Sequence, residues 1–254
     1  MFGLRNFAGS CWINSCLQSV FRIPEVQERY TAGTFDKDNT IDECLCKIWN
    51  SKGKDGLEQF FHSVRTVTMP AGHGIGDTHE LLQHLCDKLP YLDELCRFKM
   101  ADSITCNHCK TREIKEDSVI EFPITSEKNN VPIIECIMNT ATPIEISDWK
   151  CDKCNELGCQ KQQLFGSFPK VMTIHKTSIN GSVEYPCILV LNKRKYALIA
   201  ISCFTGGHWF SYGRNMPTGS AWYTLDDTNI TEHGPKQFPL CSRMRLLIYY
   251  RLEN

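Results

Sequence analysis

The apolar residues in the first hundred positions recur at spacings of three and four, as on one face of a helix. Four segments show this pattern, around "INSCLQSVF", "IDECLCKIW", "LEQFFHSV" and "ELLQHLCDKL". The last begins at Asp77, a good N-cap, with Glu80 three residues later, and it ends at Pro90. We therefore predict a mainly helical region over residues 1–99.

From about residue 100 the pattern changes to short runs rich in β-branched and aromatic residues, broken by Gly, Pro, Asn or Asp. Examples are "KVMTIHKTS", "CILVLN", "YALIAISCF", "HWFSYG", "AWYTLDD" and "RLLIYYRL". Helices first and strands later predict an α+β fold rather than a doubly wound sheet.

The composition narrows the class of protein. The 254 residues carry a formal net charge of -1, which favours neither nucleic acid nor an anionic membrane as a partner. No apolar run approaches the roughly 20 residues that cross a bilayer, and the first ten lack the apolar core of a secretory signal. Fifteen cysteines without such a signal favour metal binding or catalysis over a disulfide framework.

Two CxxC pairs, "CNHC" and "CDKC", predict a metal site. Cys106, Cys109, Cys151 and Cys154 can together supply a closed tetrahedral shell of four thiolates, which is typical of structural zinc. The 41 residues between the pairs exceed the loop of a single zinc ribbon, so strands must bring the pairs together. Four core thiols or redox pairs are the alternative, and Cys159 or His108 can replace a ligand.

Cys11 stands where a glycine-containing loop meets the first predicted helix. With Ser10 as the N-cap, Cys11 falls in the first turn, where free backbone N–H groups and the helix dipole favour a thiolate. The alternative is an inert, buried cysteine.

A thiolate nucleophile needs a base, and the base needs an orienting group. His208 follows Gly206 and Gly207 and begins an aromatic strand, and Asp226 ends a strand eighteen residues later. Neighbouring strands of a hairpin can place the two side by side. A strand-end histidine and an ordinary turn carboxylate are the alternative.

Taken together, the motifs resemble those of the ubiquitin-specific proteases, the papain-like cysteine deubiquitinases. The segment "GLRNFAGSCWINSCLQ" is similar to that family's cysteine box, and "GDTHELLQHLCDKL" to its D-A-x-E-F-L helix. The stretches "FPKVMTIHKTSI", "YALIAISCFTGGHWFSYGR" and "WYTLDDTNIT" resemble later family motifs in the same order.

The resemblance implies roles for individual residues. Cys11 would be the nucleophile, His208 the general base and acid, Asp226 the orienting carboxylate, and Asn6 a donor to the oxyanion. Substrate contacts are implied for a further set: Asp77, Gly206, Gly207, Trp209 and Asp227. In this set Asp77 would pair with an arginine of ubiquitin's tail, and Gly206, Gly207 and Trp209 would border its glycine channel. Asp227 would be a backup or water-holding group.

The resemblance also implies a single catalytic domain over residues 1–254. It would comprise a helical thumb (1–99), a zinc-bearing β fingers subdomain (100–170) and a β palm with the catalytic His and Asp (171–254). The implied partner is ubiquitin or a ubiquitin-like protein, bound by a monomer without an organic cofactor, in the cytoplasm or nucleus.

Three other functions stay open at this point. Compact viral papain-like proteases share the layout and cut their own polyproteins at Gly-Gly-like sites, which would place this chain in a host cytoplasm. A catalytically inactive ubiquitin-binding module is a second alternative. A zinc-ribbon nucleic-acid binder is disfavoured, because no stripe of basic and aromatic residues is present.

Overall fold

The computed structural model describes residues 1–68, 75–216, 221–234 and 238–253. The described helices are α1 (Cys11–Val20), α2 (Pro24–Thr31), α3 (Thr40–Asn50), α4 (Leu57–Thr68), α5 (Thr78–Lys88), α6 (Pro90–Cys96) and α7 (Ile133–Ala141). Their starts follow local chemistry. Pro24 and Pro90 occupy the first turn of α2 and α6, where an N–H donor is not needed. The Asn39 side chain accepts the free N–H groups at the start of α3.

The strands form one large sheet, one smaller sheet and a short two-stranded pair. They are β1 (Phe98–Cys106), β2 (Arg112–Val119), β3 (Phe122–Ile124), β4 (Val131–Pro132), β5 (Ile144–Lys150), β6 (Leu157–Phe165), β7 (Val171–Lys176), β8 (Val183–Glu184), β9 (Ile188–Leu191), β10 (Arg194–Phe204), β11 (Trp209–Gly213), β12 (Trp222–Asp226), β13 (Asn229–His233) and β14 (Met244–Arg251). The large sheet runs β13-β12-β11-β10-β14-β7-β3, with β9 also on β10, and the smaller runs β2-β1-β6-β5. β4 pairs with β8.

Helix α1 lies at the centre of the molecule. It packs against β10, β11 and α5, and all ten of its residues are buried, polar ones included. The polar ones find partners: the Gln18 amide donates to Phe2 O at 2.5 Å, the Ser15 hydroxyl donates to Phe210 O at 3.1 Å, and the Ser19 hydroxyl pairs with that of Ser202 at 3.0 Å. These bonds and the burial of the whole helix hold α1 in place, and with it the residue at its start, although Trp12 Nε1, Asn14 Oδ1 and Gln18 Oε1 have no hydrogen-bond partner among the described residues.

The predicted α+β fold is confirmed, with differences in detail. Helices α2, α6 and α7 were not predicted, and α7 lies within the strand-rich half. Strand β3 pairs with β7 in the large sheet, so residues 100–170 do not all belong to the four-stranded sheet. The bounds of the three subdomains stay a prediction. Among the described residues no helix has both the length and the apolar character needed to cross a bilayer.

Candidate active site and metal centre

The turn before α1 presents Cys11 at the first helical position. Gly9 adopts a positive φ of 88°, which glycine tolerates. Ser10 occupies the N-cap as predicted, but its hydroxyl makes no capping bond and instead accepts from the Phe7 N–H at 2.8 Å. The side-chain oxygen of Asn6, Oδ1, accepts from Gly9 N at 3.2 Å and from Ser10 N at 3.0 Å. The loop is therefore braced by its own side chains.

The Cys11 thiol lies against backbone groups of two segments. Its sulfur is 3.9 Å from the Gly9 carbonyl oxygen, and the Trp209 N–H points toward it. Burial raises the pKa of Cys11 above 9.0, and the Asp227 charge adds to this, while the Trp209 N–H opposes it. The prediction of a favoured thiolate is therefore wrong for this state, because burial outweighs the N–H groups around the sulfur.

His208 and Asp226 lie side by side, as the hairpin argument predicts. His208 directly precedes β11 and Asp226 ends β12, which pairs antiparallel with β11. The His208 Nε2 atom is 2.6 Å from Asp226 Oδ1. Because a carboxylate only accepts, this contact places the proton on Nε2 and leaves a lone pair on Nδ1. The ring is thereby prepared to accept a proton at Nδ1.

The structure brings Cys11 beside the segment that carries His208. Among the described residues no hydrogen bond joins the Cys11 sulfur to the His208 ring, although the next residue, Trp209, reaches that sulfur through its N–H. The histidine–aspartate pair is thus formed in the resting chain, whereas the cysteine–histidine pair is not.

Asp227 joins the N-terminal segment to the end of β12. Its carboxylate accepts from Asn6 Nδ2 at 2.8 Å through one oxygen and from Asn14 Nδ2 at 2.7 Å through the other. Its carbonyl oxygen accepts from Leu4 N at 2.8 Å, and its φ is +52°. The predicted oxyanion donor Asn6 is therefore held in place by Asp227. Asn14 was not predicted; its only signal was a polar residue within a helix that is otherwise mostly apolar.

The remaining predicted substrate contacts differ in accessibility. Asp77 caps α5 by accepting from His79 N at 2.8 Å and stays half-buried. A Cβ added to Gly206 or Gly207 would meet nothing within 4 Å, so the space beside both glycines is open. The Trp209 side chain is 3% exposed and packs on Phe204, so in this structure it does not border an open channel. The part of Trp209 that contacts the site is its backbone N–H, which points toward the Cys11 sulfur.

The four predicted metal ligands form one cluster. Their sulfurs all lie within 4.8 Å of one another, with Cys106–Cys154 at 3.6 Å and Cys109–Cys151 at 3.7 Å. Four thiolates bound tetrahedrally to zinc at about 2.3 Å lie roughly 3.8 Å apart. The cluster therefore has the dimensions of a zinc–thiolate shell and can bind a metal.

The two CxxC turns repeat the same backbone geometry. The N–H of Cys106 donates to Thr111 O and that of Cys151 donates to Glu156 O, each at 3.0 Å. The residue after each second cysteine, Lys110 or Asn155, has a φ near +60° (59° and 61°). Such matched turns aim two sulfurs at one point, which supports metal binding over four unrelated thiols.

The two alternative ligands lie outside this cluster. Cys159 is opposite Cys106 in the β1–β6 register, but its sulfur is not among those that lie within 4.8 Å of one another. The His108 ring is instead engaged with Leu157 O at 3.1 Å.

A second polar cluster, absent from the predictions, joins α5 to the large sheet. His79 Nδ1 is 2.6 Å from Glu121 Oε2, and Gln83 donates to the other oxygen at 3.1 Å. The rings of His79 and His175 stack 3.9 Å apart at 11°. Because an ion between parallel rings would lie out of both planes, this geometry favours a hydrogen-bonded ion pair over a metal site.

A cysteine at a helix start beside a preformed histidine–aspartate pair is the arrangement of a cysteine hydrolase. The sequence matches the ubiquitin carboxyl-terminal hydrolase family over residues 2–249, and the chain belongs to this family.

Two curated relatives are similar in sequence. One is the probable ubiquitin carboxyl-terminal hydrolase 8 of Schizosaccharomyces pombe, 21% identical over 99% of this chain and 65% of that protein. The other is ubiquitin carboxyl-terminal hydrolase 47 of Drosophila melanogaster, 25% identical over 75% of this chain and 15% of that protein. The chain thus spans less than two thirds of either relative, and neither is viral.

Solved structures share the fold across the whole chain. The SAGA DUB module of Ubp8, Sgf11, Sus1 and Sgf73 bound to monoubiquitin, in which Ubp8 carries a cysteine-to-alanine substitution, matches with a TM-score of 0.82 at 16% identity, covering 100% of this chain and 69% of that one. The SAGA Ubp8/Sgf11/Sus1/Sgf73 DUB module bound to ubiquitin aldehyde matches with a TM-score of 0.81, also at 16% identity, covering 100% and 70%.

Proposed function

We propose that this chain is a thiol-dependent deubiquitinase that hydrolyses the peptide or isopeptide bond after the C-terminal glycine of ubiquitin or a ubiquitin-like modifier. The observation that carries the proposal is the preformed pair of His208 Nε2 and Asp226 Oδ1, which are 2.6 Å apart. The N–H of the residue after His208, Trp209, points toward the Cys11 sulfur. Family membership supports the same reaction.

In the proposed reaction the Cys11 sulfur attacks the carbonyl carbon of the substrate glycine. The thiol proton moves to His208 Nδ1, and the imidazolium so formed is stabilised by Asp226. His208 then gives this proton to the leaving amine, which leaves an acyl-enzyme on Cys11. Water, deprotonated by His208, attacks the acyl carbon, the C–S bond breaks, and His208 returns its proton to the Cys11 sulfur as the C-terminal carboxyl group of ubiquitin leaves.

The raised pKa of Cys11 sets the order of events. Because burial raises the pKa of Cys11 above its ordinary value, the resting thiol is mainly protonated near neutral pH. We infer that the thiolate forms only when substrate draws His208 toward Cys11, so that the resting thiol is protected from side reactions. Asn6, held by Asp227, would donate its second amide hydrogen to the tetrahedral oxyanion.

The Cys106, Cys109, Cys151 and Cys154 sulfurs would hold one structural zinc ion, which would supply folding free energy and no chemistry. We propose ubiquitin as the partner because both structural neighbours are described as bound to ubiquitin or ubiquitin aldehyde. Asp77, Gly206 and Gly207 would contact its tail. A reducing location, the cytoplasm or nucleus, is proposed because all fifteen cysteines are free.

A fluorogenic substrate attached to the C-terminus of ubiquitin tests the proposal. We expect Cys11→Ala and His208→Ala to turn over at less than about one thousandth of the wild-type rate. Cys187→Ser, which removes a half-buried thiol outside the site, should retain nearly full activity. Equal turnover by wild type and Cys11→Ala would reject the proposal.

A further inference from the structure

Two cysteines outside the proposed active site are neighbours in the fold, at the junction of β10 and β14. Cys203 lies near the end of β10, where it stands opposite Met244 of β14. Cys241 begins the turn that leads into β14, and its carbonyl oxygen accepts from Met244 N at 3.2 Å. This turn carries Cys241 back over β10, where its side chain packs against the core cluster that contains Cys203.

The two thiols have opposite environments. Cys203 is 0% exposed, whereas Cys241 is half-buried and reachable from solvent. The neighbouring Cys203 thiol, together with the N–H and charge of Arg243, outweighs burial and lowers the pKa of Cys241 to about 7. Burial raises the pKa of Cys203 well above its ordinary value. An accessible, readily ionised thiol beside a second thiol is the arrangement of a peroxide-sensitive pair.

We propose that Cys241 and Cys203 form a peroxide-reactive modification site that closes to a reversible disulfide. The Cys241 thiolate attacks hydrogen peroxide, the O–O bond breaks, and sulfenic acid and hydroxide form. Cys203 then attacks the Cys241 sulfur, the S–O bond breaks, and the hydroxide leaves with the Cys203 proton as water. The two sulfurs together supply the two electrons that reduce the peroxide.

The site lies at the base of the loop that carries His208. Phe204 N donates to Arg243 O at 3.0 Å, and the Arg243 guanidinium donates to Thr205 O at 3.1 Å. Thr205 N in turn donates to His208 O at 3.0 Å. A cross-link between Cys203 and Cys241 therefore joins the two segments that brace this loop.

Two other sets of cysteines serve as internal controls. Cys86 and Cys96 share the other core cluster but are 2% and 0% exposed, so peroxide lacks access to them. Cys187 is half-buried like Cys241 but has a raised pKa. At pH 7 a larger fraction of Cys241 than of Cys187 is ionised, but a thiolate of lower pKa is intrinsically less nucleophilic. Taken together, the two effects predict that Cys241 is alkylated about fivefold faster than Cys187, or more.

The test is peptide mapping of the zinc-loaded protein. Samples are treated with hydrogen peroxide, quenched with N-ethylmaleimide and digested without reduction. We expect a disulfide-linked Cys203–Cys241 peptide to appear before peroxide has modified half of Cys187. Treatment with a reductant should remove this linked peptide. Cys203→Ser should leave a sulfenic acid on Cys241 that dimedone traps. In Cys241→Ser, which alters a half-buried position, Cys203 should stay unoxidised.

Three results would overturn the proposal. The first is that N-ethylmaleimide still alkylates both Cys203 and Cys241 after peroxide has modified half of Cys187. The second is that Cys203 is oxidised in Cys241→Ser. The third is that the Cys86–Cys96 link forms at the same rate. All three readouts are independent of ubiquitin turnover.

Discussion

Asp227 should act through Asn6 and Asn14, and Asp227→Asn isolates this role. Asparagine tolerates the positive φ of 52° at this position and keeps the side-chain shape. The two carboxylate oxygens of Asp227 accept separately, from Asn6 at 2.8 Å and from Asn14 at 2.7 Å, and the amide oxygen of asparagine can replace only one of them. The other donor would face an N–H₂ group.

The magnitude follows from the lost bonds. A hydrogen bond to a charged group contributes about 1.5–3 kcal/mol, and Asn14 is buried, so we expect Asp227→Asn to lower the free energy of unfolding by about 2 kcal/mol. If Asn6 is the oxyanion donor, its misplacement should lower kcat by about 10²-fold with little change in KM.

Urea unfolding and kinetics with the fluorogenic ubiquitin substrate measure the two effects. Asp226→Ala, at the neighbouring position, is the matched variant. It should cost more in kcat, about 10⁴-fold, because His208 loses its orienting acceptor, and little in stability because the Asp226 side chain is 43% exposed. Wild-type stability and kcat within about twofold for Asp227→Asn would refute the reasoning.

Three further outcomes are expected. Cys151→Ser, or zinc removal by a chelator, should lower the melting temperature and ubiquitin turnover together. The control variant Cys159→Ala should keep one full equivalent of zinc by metal analysis. Full activity without metal would contradict the structural role of zinc. Gly76→Ala should destabilise by about 1–3 kcal/mol in urea, because its Cβ would lie 2.7 Å from the buried Trp12 ring, and unchanged stability would contradict that packing. Burial opposes protonation of His79, but the Glu121 hydrogen bond and charge raise its pKa above 6.5. The His79–Glu121 ion pair therefore stabilises the fold fully below pH 6.5, and this stabilisation is lost as the pH rises through the raised pKa. Glu121→Gln should lower the free energy of unfolding more at pH 6 than at pH 8, and an equal decrease at both pH values would contradict the ion pair.

The local sequence predicted those features that depend on residues near one another in the chain. The start of α1 at Cys11 follows from helix periodicity and the small residues before it. The His208–Asp226 contact follows from neighbouring strands of a hairpin. The four-cysteine cluster follows from two CxxC turns that each prearrange a pair of sulfurs.

Features that depend on distant segments left no periodic signal. Asn6 and Asp227 are 221 residues apart, and only the folded chain shows that they are joined. The raised pKa of Cys11 reflects the burial of α1 by the sheet, which propensity at a helix start does not reveal. The burial of Trp209 likewise depends on its packing against Phe204 and the core behind it.

The central claim is that the Cys11 sulfur attacks the C-terminal carbonyl of ubiquitin with His208 as its base. Intact mass after reaction with ubiquitin bearing a C-terminal vinyl sulfone tests it most directly. We predict that wild type gains the mass of one ubiquitin, mapped to the Cys11 peptide, that His208→Ala reacts far more slowly, and that Cys11→Ala gains none. An adduct of equal yield in Cys11→Ala, or one mapped to another cysteine, would contradict the account.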